Sequence, residues 1–178
     1  MFFRISTVLR NTYEWISNSI NYKEWCCRLF RYLQLRGCEL RSHPWSWAAY
    51  VARVQAWFAA HQTVEHCIFV GLIDDVVVGY ASLSPYRTKD AFKSTVELSI
   101  YIHQEYRGKG VASKLMAHIL EYAKETETLH TVVSVITAGN AASTALHERF
   151  GFTYCGLTPQ VGFKHGKYQD TETYALLV

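Results

Sequence analysis

The clearest alternation of hydrophobic and polar residues begins in the second third of the chain. Two runs rich in β-branched and aromatic side chains, residues 66–73 and 76–83, flank a pair of aspartates and predict a β-hairpin. Residues 95–103 alternate apolar and polar positions, which predicts a further strand with Glu97 on its polar face.

After residue 110 the apolar residues recur every three to four positions and no longer every second position, which predicts a helix that runs to about Glu127. Its apolar positions are Val111, Leu115, Met116, Ile119, Leu120 and Ala123. The rest of the chain predicts a strand at 131–136, a helix at 141–150, and strands at 153–162 and 167–178. This order predicts an α/β (mixed α+β) fold with a mixed, mostly antiparallel sheet flanked by helices, because hairpins pair antiparallel and strand-helix-strand units pair parallel.

Composition limits the class of protein. With 178 residues, 49% of them hydrophobic and 19% charged, the chain suits one compact domain and excludes a disordered protein. A net charge of +3 is too small to predict nucleic-acid or membrane binding, and neither a leader nor a membrane-spanning run is evident. We therefore expect a cytoplasmic protein with a small-molecule partner. Five cysteines without a C-x-x-C pair predict free thiols and no metal site.

The N-terminal part differs from the rest in composition. Residues 1–57 hold seven Arg, one Lys and three acids, whereas residues 58–178 hold three Arg, seven Lys and twelve acids. All five tryptophans also lie in the first part. Such a basic, aromatic arm could stack on single-stranded nucleic acid, but without a regular basic stripe a packed hairpin or a segment of unusual origin is favoured.

A glycine-containing segment, Arg107-Gly108-Lys109-Gly110-Val111-Ala112-Ser113, joins the third predicted strand to the first predicted helix. Glycines at such a point let backbone amides approach a ligand, and a helix N-terminus favours anions, so the segment suits a pyrophosphate. The alternative is an ordinary tight turn on an exposed basic loop. A Rossmann or Walker site is disfavoured, since neither glycine pattern is complete.

A wider pattern resembles the GNAT acetyltransferase superfamily over residues 57–178. It consists of a strand containing glutamate, R-x-x-G-x-A at Arg107, Gly110 and Ala112, and then Asn140 before a helix that ends at Gly151-Phe152. The resemblance implies acetyl-CoA as co-substrate and a central strand pair that splays to admit it. The residues implied to bind it are Ile100, Tyr101, Ile102, Arg107, Gly108, Lys109, Gly110, Val111, Ala112, Ser113, Asn140 and Ser143.

Narrower motifs look like the phosphinothricin N-acetyltransferase group. They are Ser84-Pro-Tyr-Arg87, Thr95-Val-Glu97, the helix segment from Asn140 to His147-Glu148, and the tail 161–170. This resemblance implies acetylation of the amino group of a glutamate-like or methionine-like amino-acid analogue, and it allows a homodimer. The family's usual first strand and helix find no match in residues 1–45, so residues 1–56 form an atypical segment, of foreign origin by hypothesis, in which a first strand is in doubt.

Four side chains are candidates for the chemistry. Glu97 would take the proton from the acceptor's ammonium group, since a glutamate in an apolar strand tends to have a raised pKa. By the resemblance, His147 would protonate the departing thiolate or bind the acceptor, and Arg87 and Lys164 would neutralise the acceptor's carboxylate. The alternatives are a Glu97 ion pair, a structural His147, and ordinary surface charges.

Two other functions stay open. The same fold could acetylate a polyamine or a protein N-terminus, which would change only the acceptor pocket. A protein that binds acetyl-CoA without turnover is the alternative outside enzymes.

Overall fold

The computed structural model describes residues 3–7, 47–164 and 166–178. Strands and helices in these ranges follow the predicted order from the hairpin onward, so the mixed α/β fold is confirmed. Short 3₁₀ turns lie at Asp90–Phe92 and Gln104–Tyr106. The other elements are β1 (Phe3–Thr7), α1 (Trp47–Ala60), β2 (Ile68–Ile73), β3 (Val76–Pro85), β4 (Thr95–Ile102), α2 (Val111–Glu125), β5 (Thr131–Thr137), α3 (Ala141–Arg149), β6 (Thr153–Lys164) and β7 (Lys167–Leu177).

The described strands form one sheet in the order β1-β2-β3-β4-β5-β7-β6. Neighbours pair antiparallel except β4 and β5, which are parallel. That parallel pairing covers only residues 95–97 against residues 131–133, although both strands continue further. The expected splayed strand pair is therefore present, and it leaves a wedge-shaped gap in the middle of the sheet.

A strand from the N-terminal segment completes one edge of the sheet. Phe3–Thr7 pairs antiparallel with β2, from Phe3 opposite Ile73 to Thr7 opposite Phe69. The first strand that the sequence left in doubt thus exists. It is recognised by its hydrogen-bonded pairing with β2 and not by a hydrophobic pattern in its own five residues. The rest of the atypical segment up to residue 46, including Trp15, Trp25 and Trp45, lies outside the described residues, so its origin stays a hypothesis.

Helices cover both faces of the sheet, and this decides where the side chains of β4 point. All six apolar positions predicted for α2 are buried, against one face that also receives Leu146 and Phe150 from the α3 region. Trp57 and Phe58 of α1 pack on the other face. Val96 and Leu98 belong to the α2 face, so alternation places Glu97 on the α1 face.

No helix in the described ranges combines the length and the apolar character that crossing a membrane requires.

Candidate active site

A cleft of about 1290 Å³ opens where β4 and β5 separate. Its walls come from the second half of β4, the loop to α2, the first turn of α2, β5 and α3. Most of the predicted ligand-binding residues line it, namely Ile100, Tyr101, Ile102, Arg107, Gly108, Gly110, Val111, Ala112, Ser113, Asn140, Ser143, His147 and Lys164. Lys109, Glu97 and Arg87 do not line the cleft.

The backbone of β4 alternates between its two neighbours. The carbonyl of Ser94 accepts from the amides of His130 and Thr131, on the β5 side, at 2.9 and 3.2 Å. The amide of His103, an odd-numbered residue, donates to Val78 of β3 at 2.8 Å. Even-numbered residues of β4 therefore direct their backbone groups toward β5, so the N–H and C=O of Ile100 point into the cleft. An extended ligand arm could pair with them as an added strand does.

The loop before α2 has the backbone geometry of an anion site. Gly108 and Gly110 have φ of 72° and 77°, a left-handed conformation that favours glycine. Gly110 is the N-cap of α2, and no side chain among the described residues caps this end. The amides of the first turn of α2 lack intrahelical acceptors, so they are available to a pyrophosphate. Lys109 instead directs its ammonium over the ring of Tyr106, at 5.0 Å from the ring centroid.

His147 is buried in α3 with both ring nitrogens hydrogen-bonded. Nδ1 lies 2.8 Å from the carbonyl oxygen of Ser143, and Nε2 lies 2.9 Å from Oγ of Ser134. Because a carbonyl can only accept, Nδ1 carries the proton, and in the neutral ring Nε2 accepts from the Ser134 hydroxyl. Burial lowers the pKa of His147, which favours this neutral form. His147 and its partner Ser134 both line the cleft.

Glu97 lies at the apex of the gap, opposite Val133, where the pairing of β4 with β5 ends. The side chain is half-buried, and burial raises its pKa. Within the part of the chain that the structure describes, Glu97 has no salt bridge with a lysine or arginine, as the alternative of an ion pair would require. Leu98 and Ser99, which follow it, line the cleft. Glu97 itself does not line the cleft, but it lies directly next to the end of the cleft that is opposite the α2 loop.

The two predicted carboxylate-binding residues lie in different places. Arg87 is exposed beyond the end of β3, with its guanidinium 5.1 Å from the ring centroid of Tyr86 and 5.4 Å from that of Phe92. It follows three residues after Ser84, the residue of β3 that pairs with Glu97. Lys164 ends β6 and lines the cleft itself.

Sequence reasoning missed several residues that line the cleft, among them Ser134 and Arg149. Ser134 is the one hydroxyl inside the apolar core of the predicted strand 131–136, and that interruption was the available signal. Arg149, at the end of α3, donates from Nη2 to Oγ of Ser113 in the first turn of α2. This contact joins α2 and α3 across the rim of the cleft.

No cluster of three or more His, Cys, Asp or Glu side chains suited to a metal occurs in residues 3–7, 47–164 and 166–178.

Comparison with known proteins gives concordant matches. A model of the acetyltransferase (GNAT) family matches residues 32–152. The chain is 39% identical over 115 residues to L-methionine sulfoximine/L-methionine sulfone acetyltransferase of Salmonella typhimurium, which covers 65% of this chain and 67% of that protein. Phosphinothricin N-acetyltransferase of Streptomyces coelicolor is 40% identical over 98 residues, 55% of this chain and 57% of that protein. A Salmonella typhimurium structure with its cofactor acetyl-CoA superposes with a TM-score of 0.75 at 29% identity, and the match covers 98% of this chain and 93% of that one.

Proposed function

Because the chain belongs to the acetyltransferase (GNAT) family, we propose that it transfers an acetyl group from acetyl-CoA to the amino group of a small amino-acid analogue. The observation that carries this proposal is the cleft between β4 and β5, with an amide-rich helix N-terminus at one end and, at the other, the point where strand pairing ends beside Glu97. Methionine sulfoximine, methionine sulfone and phosphinothricin are the proposed acceptors, because the relatives at 39% and 40% identity are named for them.

Acetyl-CoA would supply the thioester that makes the acetyl group transferable. The left-handed Gly108 and Gly110 and the amides of the first turn of α2 would hold its pyrophosphate, with Arg107 adding charge. The backbone of Ile100 would pair with the extended arm that follows. Asn140 caps α3, with its side chain 3.3 Å from the amide of Ser143, and both residues line the same wall.

Glu97 would act as the general base. An α-amino group is mostly an ammonium ion at neutral pH, and its nitrogen can attack only after it loses a proton. The raised pKa of Glu97 suits a base that works near neutrality. Its carboxylate would take the proton directly or through a water molecule.

His147 would act as a positioning residue. Its Nε2 fixes the hydroxyl of Ser134 on the cleft wall at 2.9 Å. The alternative role, protonation of the thiolate, requires the imidazolium form, which burial disfavours. Arg87 and Lys164 would neutralise the acceptor's carboxylate, since Arg87 is an exposed guanidinium beyond the end of β3 and Lys164 is an ammonium on the cleft wall.

The experiment that tests this function measures thiol release from acetyl-CoA with several amines side by side. We expect turnover with methionine sulfone, methionine sulfoximine or phosphinothricin, and little with spermidine or with a peptide that has a free N-terminus. Faster turnover of spermidine or the peptide would replace the proposed acceptor class. Acetyl-CoA binding without turnover of any amine would support the alternative of a protein that binds acetyl-CoA without catalysing acetyl transfer. The homodimer that the family resemblance allows stays a prediction, and light scattering would measure it.

A further inference from the structure

A second buried histidine lies on the α1 face of the sheet, away from the acetyl-CoA cleft. His61 follows the last residue of α1 and is 2% exposed. Its Nδ1 is 2.6 Å from the carbonyl oxygen of Trp57, and its ring centroid is 4.6 Å from that of the Trp57 side chain. Its Nε2 is 2.8 Å from Oγ of Ser84 in β3. None of the steps proposed above uses this pair.

The two partners of His61 fix the direction of its hydrogen bonds. The carbonyl of Trp57 can only accept, so Nδ1 carries a proton. In the neutral ring Nε2 is then an acceptor, and Ser84 must donate its hydroxyl proton to it. A serine hydroxyl has one proton, so Ser84 has only lone pairs left for any other neighbour.

That other neighbour is Glu97. Ser84 and Glu97 are directly opposite each other in the β3–β4 pairing. Residues opposite each other in an antiparallel pair present their side chains on the same face, and the contact with His61 shows that this is the α1 face. The hydroxyl of Ser84 thus lies beside Glu97 but cannot donate to it. Burial raises the pKa of Glu97, and no hydrogen bond from the described residues contributes to this shift.

We propose that His61 is a positioning residue for the catalytic base: by taking the proton of Ser84, it prevents that hydroxyl from stabilising the Glu97 carboxylate and so keeps Glu97 basic. This inference rests on the proposed function, in which Glu97 removes the acceptor's proton. A hydrogen bond to a carboxylate favours its ionised form and lowers its basicity. A matched base near neutral pH therefore needs the adjacent hydroxyl to point elsewhere.

The charges around the pair agree with this role. Burial is the main cause that lowers the pKa of His61; the hydrogen bond to the Trp57 carbonyl raises this pKa and the nearby His66 lowers it, and the net shift is downward. His61 therefore stays neutral and remains an acceptor for Ser84. Glu65 raises the pKa of His66 and is not among the groups that shift the pKa of His61. Toward β5, the position opposite Glu97 is the apolar Val133, and along the same face of β4 the next residue is Ser99, opposite Ser82.

The test combines His61→Leu, Ser84→Ala and the double variant, with the pH dependence of kcat/KM as readout. Leucine at position 61 cannot accept the Ser84 proton, so the Ser84 hydroxyl can donate to the Glu97 carboxylate. The acidic limb of the pH profile of kcat/KM should then shift to lower pH by about one unit. Ser84→Ala removes the donor, so its limb should stay within about 0.3 pH unit of the original. The double variant should behave like Ser84→Ala. A limb that moves in the double variant as far as in His61→Leu would overturn the proposal.

Two further measurements keep the result interpretable. His61→Gln offers Ser84 an amide oxygen as acceptor, so its limb should stay in place; a limb that moves down counts against the proposal. Carbon-13 NMR of labelled glutamate, with Glu97→Gln to assign the signal, measures the pKa of Glu97 without any turnover. If no amine is acetylated but this pKa falls in His61→Leu, the proposed function fails and the electrostatic role stands. If turnover occurs and the pKa does not move, the inference fails alone.

Discussion

Glu97 is the residue whose environment most directly links structure to chemistry. Its side chain lies at the apex of the gap between β4 and β5, half-buried, with a raised pKa. Glu97→Gln preserves the shape but cannot accept a proton, so kcat at pH 7 should fall by roughly 10²- to 10⁴-fold. Raising the pH should restore part of the rate, because the acceptor then arrives deprotonated. Near-normal kcat with acetyl-CoA affinity intact would assign the base to another group.

The same substitution should increase stability. Burial raises the pKa of Glu97 in the folded protein, so the folded state binds a proton more tightly than the unfolded chain does. Stability then falls as the pH rises from about 4.5 through the folded pKa, and the loss remains at higher pH. Glu97→Gln should therefore raise Tm at pH 8 and leave it nearly unchanged at pH 4. A lower Tm at pH 8 would show that the carboxylate has a stabilising partner.

Arg87 carries a prediction about the acceptor. Its guanidinium is exposed and lies over two aromatic rings, which leaves its charge available to an anionic ligand. Loss of a charge-assisted contact costs about 1.5–3 kcal/mol, so Arg87→Ala should raise the KM for methionine sulfone about tenfold or more. Lys89→Ala, an exposed charge in the same loop, is the matched control and should change this KM little. An equal increase of this KM in both variants would show that Arg87 and Lys89 act only through the overall positive charge of the loop.

At the scale of elements, the strand-to-helix junction before α2 is the most constrained feature. Gly110 caps α2 at φ 77°, and no atom of the described residues lies within 4 Å of a Cβ placed there. Strain of about 1–2 kcal/mol, not crowding, would therefore oppose Gly110→Ala, and the distorted loop should raise the KM for acetyl-CoA. Gly151→Ala is the control, since Gly151 also has a positive φ, 86°, but does not line the cleft. It should lose stability without a change in this KM.

The elements themselves followed from the sequence because their hydrophobic periods differ. The period of 2 in β4 and the period of 3.6 in α2 indicate which side chains are buried, and each pattern is complete within a single element, of 8 and 15 residues respectively. The pairs Ser134–His147 and His61–Ser84 span 13 and 23 residues and join different elements. Such contacts depend on strand register and helix packing, which no local pattern encodes. For the same reason β1 was left in doubt, since its partner β2 lies more than 60 residues away.

At the scale of the whole molecule, the split sheet separates two tasks. The α2 and α3 face and the gap offer the backbone groups proposed to bind acetyl-CoA, and the α1 face carries His61, Ser84 and Glu97. Glu97 lies where the two regions meet, because pairing of β4 with β5 stops directly after it. Within the described part of the chain, each face also carries a buried histidine, His61 or His147, that is hydrogen-bonded to a serine of the sheet.

These two histidines should make the fold sensitive to mild acid. Burial lowers the pKa of His61 and of His147 below the usual 6.5. Below pH 6.5 the unfolded chain therefore binds protons that the folded protein excludes, so stability falls with falling pH, by at most about 1.4 kcal/mol per pH unit for each histidine. Glu97 contributes with the opposite sign, so comparison of variants is the informative measurement. The free energy of unfolding in urea should decline less between pH 7.5 and 5.5 in His147→Asn than in the original protein. His130→Gln, at an exposed position, should leave the decline unchanged, and an equal decline in all three proteins would contradict the assignment.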